Sequence, residues 1–176
     1  MRAYFEERRC FFDMKHIHYR WALFWLGLLI TLPINPSYAL EGLTLANAGF
    51  TMVESSEEEE PETFIRSIKL SEVKEKPLFF VSKIQCDESC QKLLQSGKVK
   101  LIHRWVRMLG VTPKTRLKQE FPPEMFTEPL LLLQSELMIN TAGDWFVEIQ
   151  TSDGEKLCLK EDEKNVCEFV LQVTLE

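Results

Sequence analysis

Three stretches of this sequence alternate apolar and polar residues with a period of two, and that pattern leaves little choice of secondary structure. In the first, Val99, Leu101, His103 and Trp105 share one side while Lys100 and Arg104 take the other. In the second, Trp145, Val147 and Ile149 alternate with Asp144, Glu148 and Gln150. In the third, Phe169, Leu171, Val173 and Leu175 alternate with Glu168, Gln172 and Thr174. Successive side chains of a strand point to opposite faces, whereas a helix brings together residues three and four apart. Strands with one apolar face need a second sheet to cover it. Including these three, β-like runs fall at 63–69, 78–84, 99–108, 115–121, 130–134, 144–150, 155–159 and 167–175. Asp87 opens a short helix over 87–95, with Gly97 just past its end. Ser152-Asp153-Gly154 supplies a hairpin turn, and Pro122, Pro123 and Pro129 mark a loop that no central strand could cross. The pattern predicts an all-β fold, a small antiparallel β-sandwich of about eight strands with one short helix.

The alternating body follows a leader of a different kind. Lys15 and Arg20 precede an uncharged run, 21–34, which is broken by Pro33 and Pro36 and closes on Ser37-Tyr38-Ala39. A basic start, an apolar centre and small residues three and one before the cut are the order of a secretory signal peptide, with cleavage expected after Ala39. As a helix the run reaches roughly 21 Å, short of a hydrocarbon core roughly 30 Å thick. A retained single-pass inner-membrane anchor, holding the domain outside the cytoplasm, is the alternative. Read from Met1, the basic segment is long and holds Glu6, Glu7 and Asp13; Met14 offers a more ordinary start. The expected organisation is a signal peptide over 1–39, an acidic disordered linker over 40–62 and a β-sandwich over 63–176.

The whole chain carries 21 Lys and Arg against 27 Asp and Glu, a net charge of −6. The leader holds five of the basic and three of the acidic residues, so the body is at −8. Nucleic acid and anionic lipid are disfavoured partners, because phosphate binding rests on clustered Lys and Arg. The centre of the linker, Glu54-Ser-Ser-Glu-Glu-Glu-Glu-Pro-Glu62, reads as a solvated spacer. It lacks the alternating Asp, Asn and Gly spacing of a calcium loop.

Cys10 lies in the leader, which leaves Cys86, Cys90, Cys158 and Cys167 in the body. An even count in a small exported domain points to a disulfide framework, and four cysteines allow three connectivities. Cys86 with Cys90 and Cys158 with Cys167 rank first; a cross-link from the helix to the last hairpin is the alternative. Strand parity opposes the second pair. Cys167 shares a face with Phe169, whereas Cys158 lies opposite Leu157 and Leu159, so a bulge or irregular turn is needed within 160–166.

Three pieces resemble a known family: Ile102-His103-Arg104-Trp105, then Gly143-Asp144-Trp145-Phe146-Val147-Glu148, then Asp153-Gly154-Glu155-Lys156-Leu157, ahead of a strand with Phe169 and Val173. In that order, over roughly 64–173, the chain resembles the bacterial domain-of-unknown-function family numbered 2914. Its pattern is H-R-W, R-W-x-x-x-S, G-x-W-x-V, a D-G turn, L and a final F-x-V strand. The R-W-x-x-x-S segment departs here to Leu130-Leu-Leu-Leu-Gln-Ser135, which keeps the serine, and Cys86-Asp-Glu-Ser-Cys90 is an insertion. The resemblance implies an extracytoplasmic β domain with no assigned activity.

Residues able to carry chemistry are few. His103, the one histidine of the body, sits between Leu101 and Trp105 on an apolar face and is expected to be a buried, hydrogen-bonded core residue. As a general base in a hydrolase it would need a nucleophile brought close by folding. Trp105 and Trp145 face inward and are expected to pack the core. Arg104 points the other way, toward a cross-strand pair with Glu148 or Glu168 or toward a ligand carboxylate. Cys86 and Cys90 form C-x-x-x-C, one residue longer than the usual redox spacing, and Asp87 and Glu88 would raise a thiol pKa. No metal or cofactor motif is present, and none is expected to be bound. The surface expected to bind is the 121–133 segment, through Phe121, Met125 and Phe126, with Arg104 nearby. The function expected is a non-catalytic binding or envelope-assembly module, periplasmic or secreted, in a bacterium. Its partner would be a protein or envelope component, with the membrane touched only through an uncleaved leader. The alternative is an enzyme, thiol-redox through Cys86 and Cys90 or hydrolytic through His103.

Overall fold

A computed structural model describes residues 40–55, 61, 63–161 and 163–176. The leader, its cleavage site and most of the acidic run lie outside the described residues. In chain order the elements are β1 (Leu43–Thr51), β2 (Ser67–Lys69), α1 (Leu70–Val73), β3 (Pro77–Cys86), α2 (Glu88–Gln95), β4 (Leu101–Leu109) and β5 (Thr112–Glu120). A 3-10 turn at Pro123–Met125 follows. Then come β6 (Leu130–Met138), β7 (Gly143–Thr151), β8 (Lys156–Leu157), β9 (Leu159–Glu161), β10 (Lys164–Val166) and β11 (Phe169–Thr174). The first sheet runs β10-β9-β1-β3-β6 and the second β2-β11-β7-β4-β5, with β8 also paired to β7. The fold is all-β, two sheets packed as a sandwich. Its eleven described strands exceed the expected eight, and α1 is a second short helix.

One boundary needs correction. Residues 43–51, expected within the linker, form β1, which pairs with β3 over nearly its whole length and is central in the first sheet. The apolar pattern hides it because the ladder slips between Leu45 and Asn47. The extra residue shifts the phase, so Leu43 and Leu45 face inward with Ala48 and Phe50 rather than with 47 and 49. The sandwich therefore begins before residue 63. Segments flanking the acidic run also contribute: Ser55 N donates to Gln134 Oε1 at 2.8 Å, and Ile65 N to Phe50 O. Phe64 lies on Gly49, where an added Cβ would come 2.3 Å from its ring.

Between the sheets, the Phe50 ring stands edge-on to Phe80 at 5.2 Å and to Trp105 at 5.6 Å, and Phe80 meets Phe169 at 5.4 Å. Such pairs contribute about 0.5–1.5 kcal/mol each beyond the area they bury. Trp145 is buried in the same cluster.

The expected strand 155–159 divides into β8 and β9, β10 forms within the expected turn 160–166, and 167–175 shortens to β11; this arrangement resolves the parity conflict. The chain leaves the second sheet after β8, joins the first as β9 and β10, and returns to the second as β11. β9 and β10 pair with Leu159 opposite Val166. Cys158 and Cys167 stand one step beyond, at the two crossings, and are joined as a disulfide. The irregularity lies at these crossings and not within 160–166, because Cys167 belongs to neither β10 nor β11 and need not share a face with Phe169.

Candidate functional site

His103 on β4 is fully enclosed and spans the gap between the sheets. Its Nε2 lies 2.8 Å from Ser82 Oγ on β3, and its Nδ1 lies 2.9 Å from Ser135 Oγ on β6. Trp105 Nε1 donates to the same Ser135 hydroxyl at 2.9 Å. Alternation explains the meeting: Leu101, His103 and Trp105 share the inner face of β4, and Ser82 and Ser135 occupy inner positions of β3 and β6. Phe121 at 4.7 Å and Phe80 at 5.0 Å close over the imidazole. Burial pushes its pKa down to about 3, so the ring is neutral near pH 7, with one nitrogen donating and one accepting. Two hydroxyls, each able to donate and accept, satisfy either tautomer. A serine bonded to a histidine has the chemistry of an activated nucleophile, but each polar group here is walled off from any substrate. The arrangement cross-links the sheets.

On the outer face of the second sheet, Glu148 of β7 is nearly buried between two cations. Arg104 Nη1 lies 2.8 Å from its Oε2 and Lys156 Nζ 2.5 Å from its Oε1. Lys156 reaches on to Glu168 at 2.9 Å, and Arg104 Nε donates to Thr115 Oγ1 on β5 at 2.9 Å. The hydrogen bonds that Lys156 donates to Glu148 and then to Glu168 hold its ammonium above its ordinary pKa. The row ties β4, β5, β7 and β8 together. It engages the Arg104 guanidinium with Thr115 and with Glu148, one of the two cross-strand partners the sequence offered, rather than leaving it for a ligand carboxylate.

The remaining expected site residues separate. Phe121 and Phe126 are buried in the core cluster, so they cannot form the exposed contact surface expected of the 121–133 segment. Phe121 N donates to Leu101 O, and Gln95 Nε2 of α2 to Phe126 O; these bonds draw the proline-rich loop inward. Met125 alone of the three is exposed, at 38%. Cys86 and Cys90 are buried and disulfide-bonded, joining the end of β3 to the first turn of α2. Asp87 caps that helix, accepting from Cys90 N at 2.9 Å and Ser89 Oγ at 2.7 Å; these bonds hold its carboxyl below the usual range. Gly42 (φ +84°) passes so close that an added Cβ would sit 2.1 Å from the Asp87 carboxylate. Two disulfides suit an oxidising, extracytoplasmic compartment. Among the described residues no helix is long and apolar enough to cross a membrane, and no cluster of His, Cys, Asp or Glu could hold a metal. The sequence did not reveal Ser82 as a partner of His103, since nothing local marks which residues face each other across two sheets.

No protein-family model matches the chain, and no curated protein does. Among solved structures it is similar to the CARDB domain of a Pyrococcus furiosus protein, determined in solution by NMR, with TM-score 0.36 and 11% identity over 77% of this chain and 96% of that one.

Proposed function

We propose that this chain is an exported β-sandwich domain that acts as a non-catalytic binding or assembly module, in the periplasm or on the outside of a bacterial cell. The disulfides carry this reading. One joins β3 to α2 inside the core, and the other closes the two points where the chain changes sheets. Bonds at such joints belong to a fold completed in an oxidising compartment. The sequence of the leader supplies the route.

Expression in a Gram-negative host followed by intact-mass measurement tests the proposal. The expected mass is that of residues 40–176 less four hydrogens, with no thiol labelled before denaturation and reduction. Retention of 14–39 removes the cleaved leader. Thiols that react in the native exported protein replace the binding module with the redox alternative.

A further inference from the structure

We propose that two copies of this chain associate edge to edge through β6, as an antiparallel pair centred on Gln134. β6 ends the first sheet. Its ladder to β3 runs unbroken from Leu130↔Gln85 to Met138↔Pro77, and among the described residues no strand lies on its other side. The outer row of N–H and C=O groups on an edge strand invites a further strand unless the edge is short, charged, bulged or interrupted by proline. β6 is long, unbulged and free of proline, and the one described contact of a neighbouring loop with it is that of Ser55 N with the Gln134 side chain on the outer face. The strand is nine residues long, reads Leu-Leu-Leu-Leu-Gln-Ser-Glu-Leu-Met and carries one charge, Glu136.

Strand parity restricts how two such edges can meet. A two-fold axis perpendicular to the sheet keeps both inner faces on the same side, so opposed residues must share a face and the axis must pass where a residue meets its own copy. Centring on Gln134 overlaps the whole strand. On the inner side Leu131 then meets Leu137, and on the outer side Leu130 meets Met138. Leu130 and Met138 are 51% and 54% exposed, the two large apolar side chains that β6 leaves open. This one register covers each with the other. Within the strand it opposes no like charges, because Glu136 falls against Leu132. Full overlap of β5 with its own copy, centred on Arg116, would instead set arginine on arginine and Lys114 on Lys118, pairings that destabilise a ladder. The charge pattern therefore selects β6 for self-association. The inference does not depend on the compartment in which the protein works.

Sedimentation of the purified, oxidised full chain tests it. The wild-type protein is expected to show the mass of two copies and to dissociate on dilution. The double substitution L130K/M138K sets lysine against lysine on a side of the strand already open to solvent. It is expected to sediment as one copy with an unchanged circular dichroism spectrum, while Arg116→Glu on β5 leaves the pair intact. Under mild oxidation Gln134→Cys is expected to cross-link to its own copy, which reports the register without relying on the lysine variant. A wild-type chain that stays single at every concentration reached overturns the proposal. So does association that survives L130K/M138K, whether through the leader, the acidic segment or another surface. Failure of Gln134→Cys to cross-link within a two-copy species overturns the register.

Discussion

β5 and β6 are both nine-residue edge strands, one closing each sheet, and they differ in almost every other respect. β5 carries Pro113 and then a charge at every second position, Lys114, Arg116, Lys118 and Glu120, and its ladder to β4 slips between Trp105 and Val106. β6 carries four leucines in a row and an unbroken ladder. The contrast continues in what their side chains hold. Ser135 of β6 is the shared partner of His103 and Trp105 in the core, whereas Thr115 of β5 bonds Arg104 at the half-exposed outer face. Equal length and equal position thus conceal two jobs. One strand ends its sheet; the other holds the two sheets together and leaves its far side open.

Substitutions can sharpen or break that contrast. The largest effect is expected from Ser135→Ala. It leaves both Trp105 Nε1 and one His103 nitrogen without a partner, at about 1–3 kcal/mol for each buried group. A loss of about 2–4 kcal/mol in urea unfolding is expected, and a loss below about 0.5 kcal/mol would remove the cross-linking role of β6. The same network should shape the pH profile. His103 binds a proton near pH 6.5 when unfolded and near pH 3 when folded, so between those values the unfolded chain holds more protons. Stability is then fully present above about pH 6.5 and falls as the pH drops toward 3, by at most about 1.4 kcal/mol per unit from this residue. His103→Gln should flatten that slope relative to wild type in acid titrations followed by fluorescence. A smaller loss, about 1–2 kcal/mol, is expected for Arg104→Ala, because Glu148 keeps Lys156 but is nearly buried. Smallest is Thr115→Ala on β5, expected within about 0.5 kcal/mol by the same urea assay. Equal costs at Thr115 and Ser135 would erase the distinction between the two edges.

Much of this fold was legible where hydropathy and geometry share one period. β4, β7 and β11 keep strict alternation, and the structure places them side by side in the second sheet. Legibility failed where the chain leaves that regime. β1 has a bulge and is rich in Ala, Asn and Gly, so its inward residues do not alternate. The Cys158 and Cys167 conflict was a true sign of irregularity, but the break lies at the sheet crossings, which no one-dimensional pattern locates. Phe121 and Phe126 looked like a contact surface because they give apolar content to a proline-marked loop. Their burial depends on hydrogen bonds to β4 and α2 that are distant in sequence. The edge status of β6 was beyond reach for the same reason, since Leu130–Leu133 reads equally well as a strand covered on both sides.

Residue-resolved amide exchange at two protein concentrations tests the contrast between the edges most directly. The outward-facing amides of β6 are expected to slow as concentration rises, because a second copy takes their hydrogen bonds, while those of β5 keep one rate. Exchange that is equal at both edges and indifferent to concentration would contradict it.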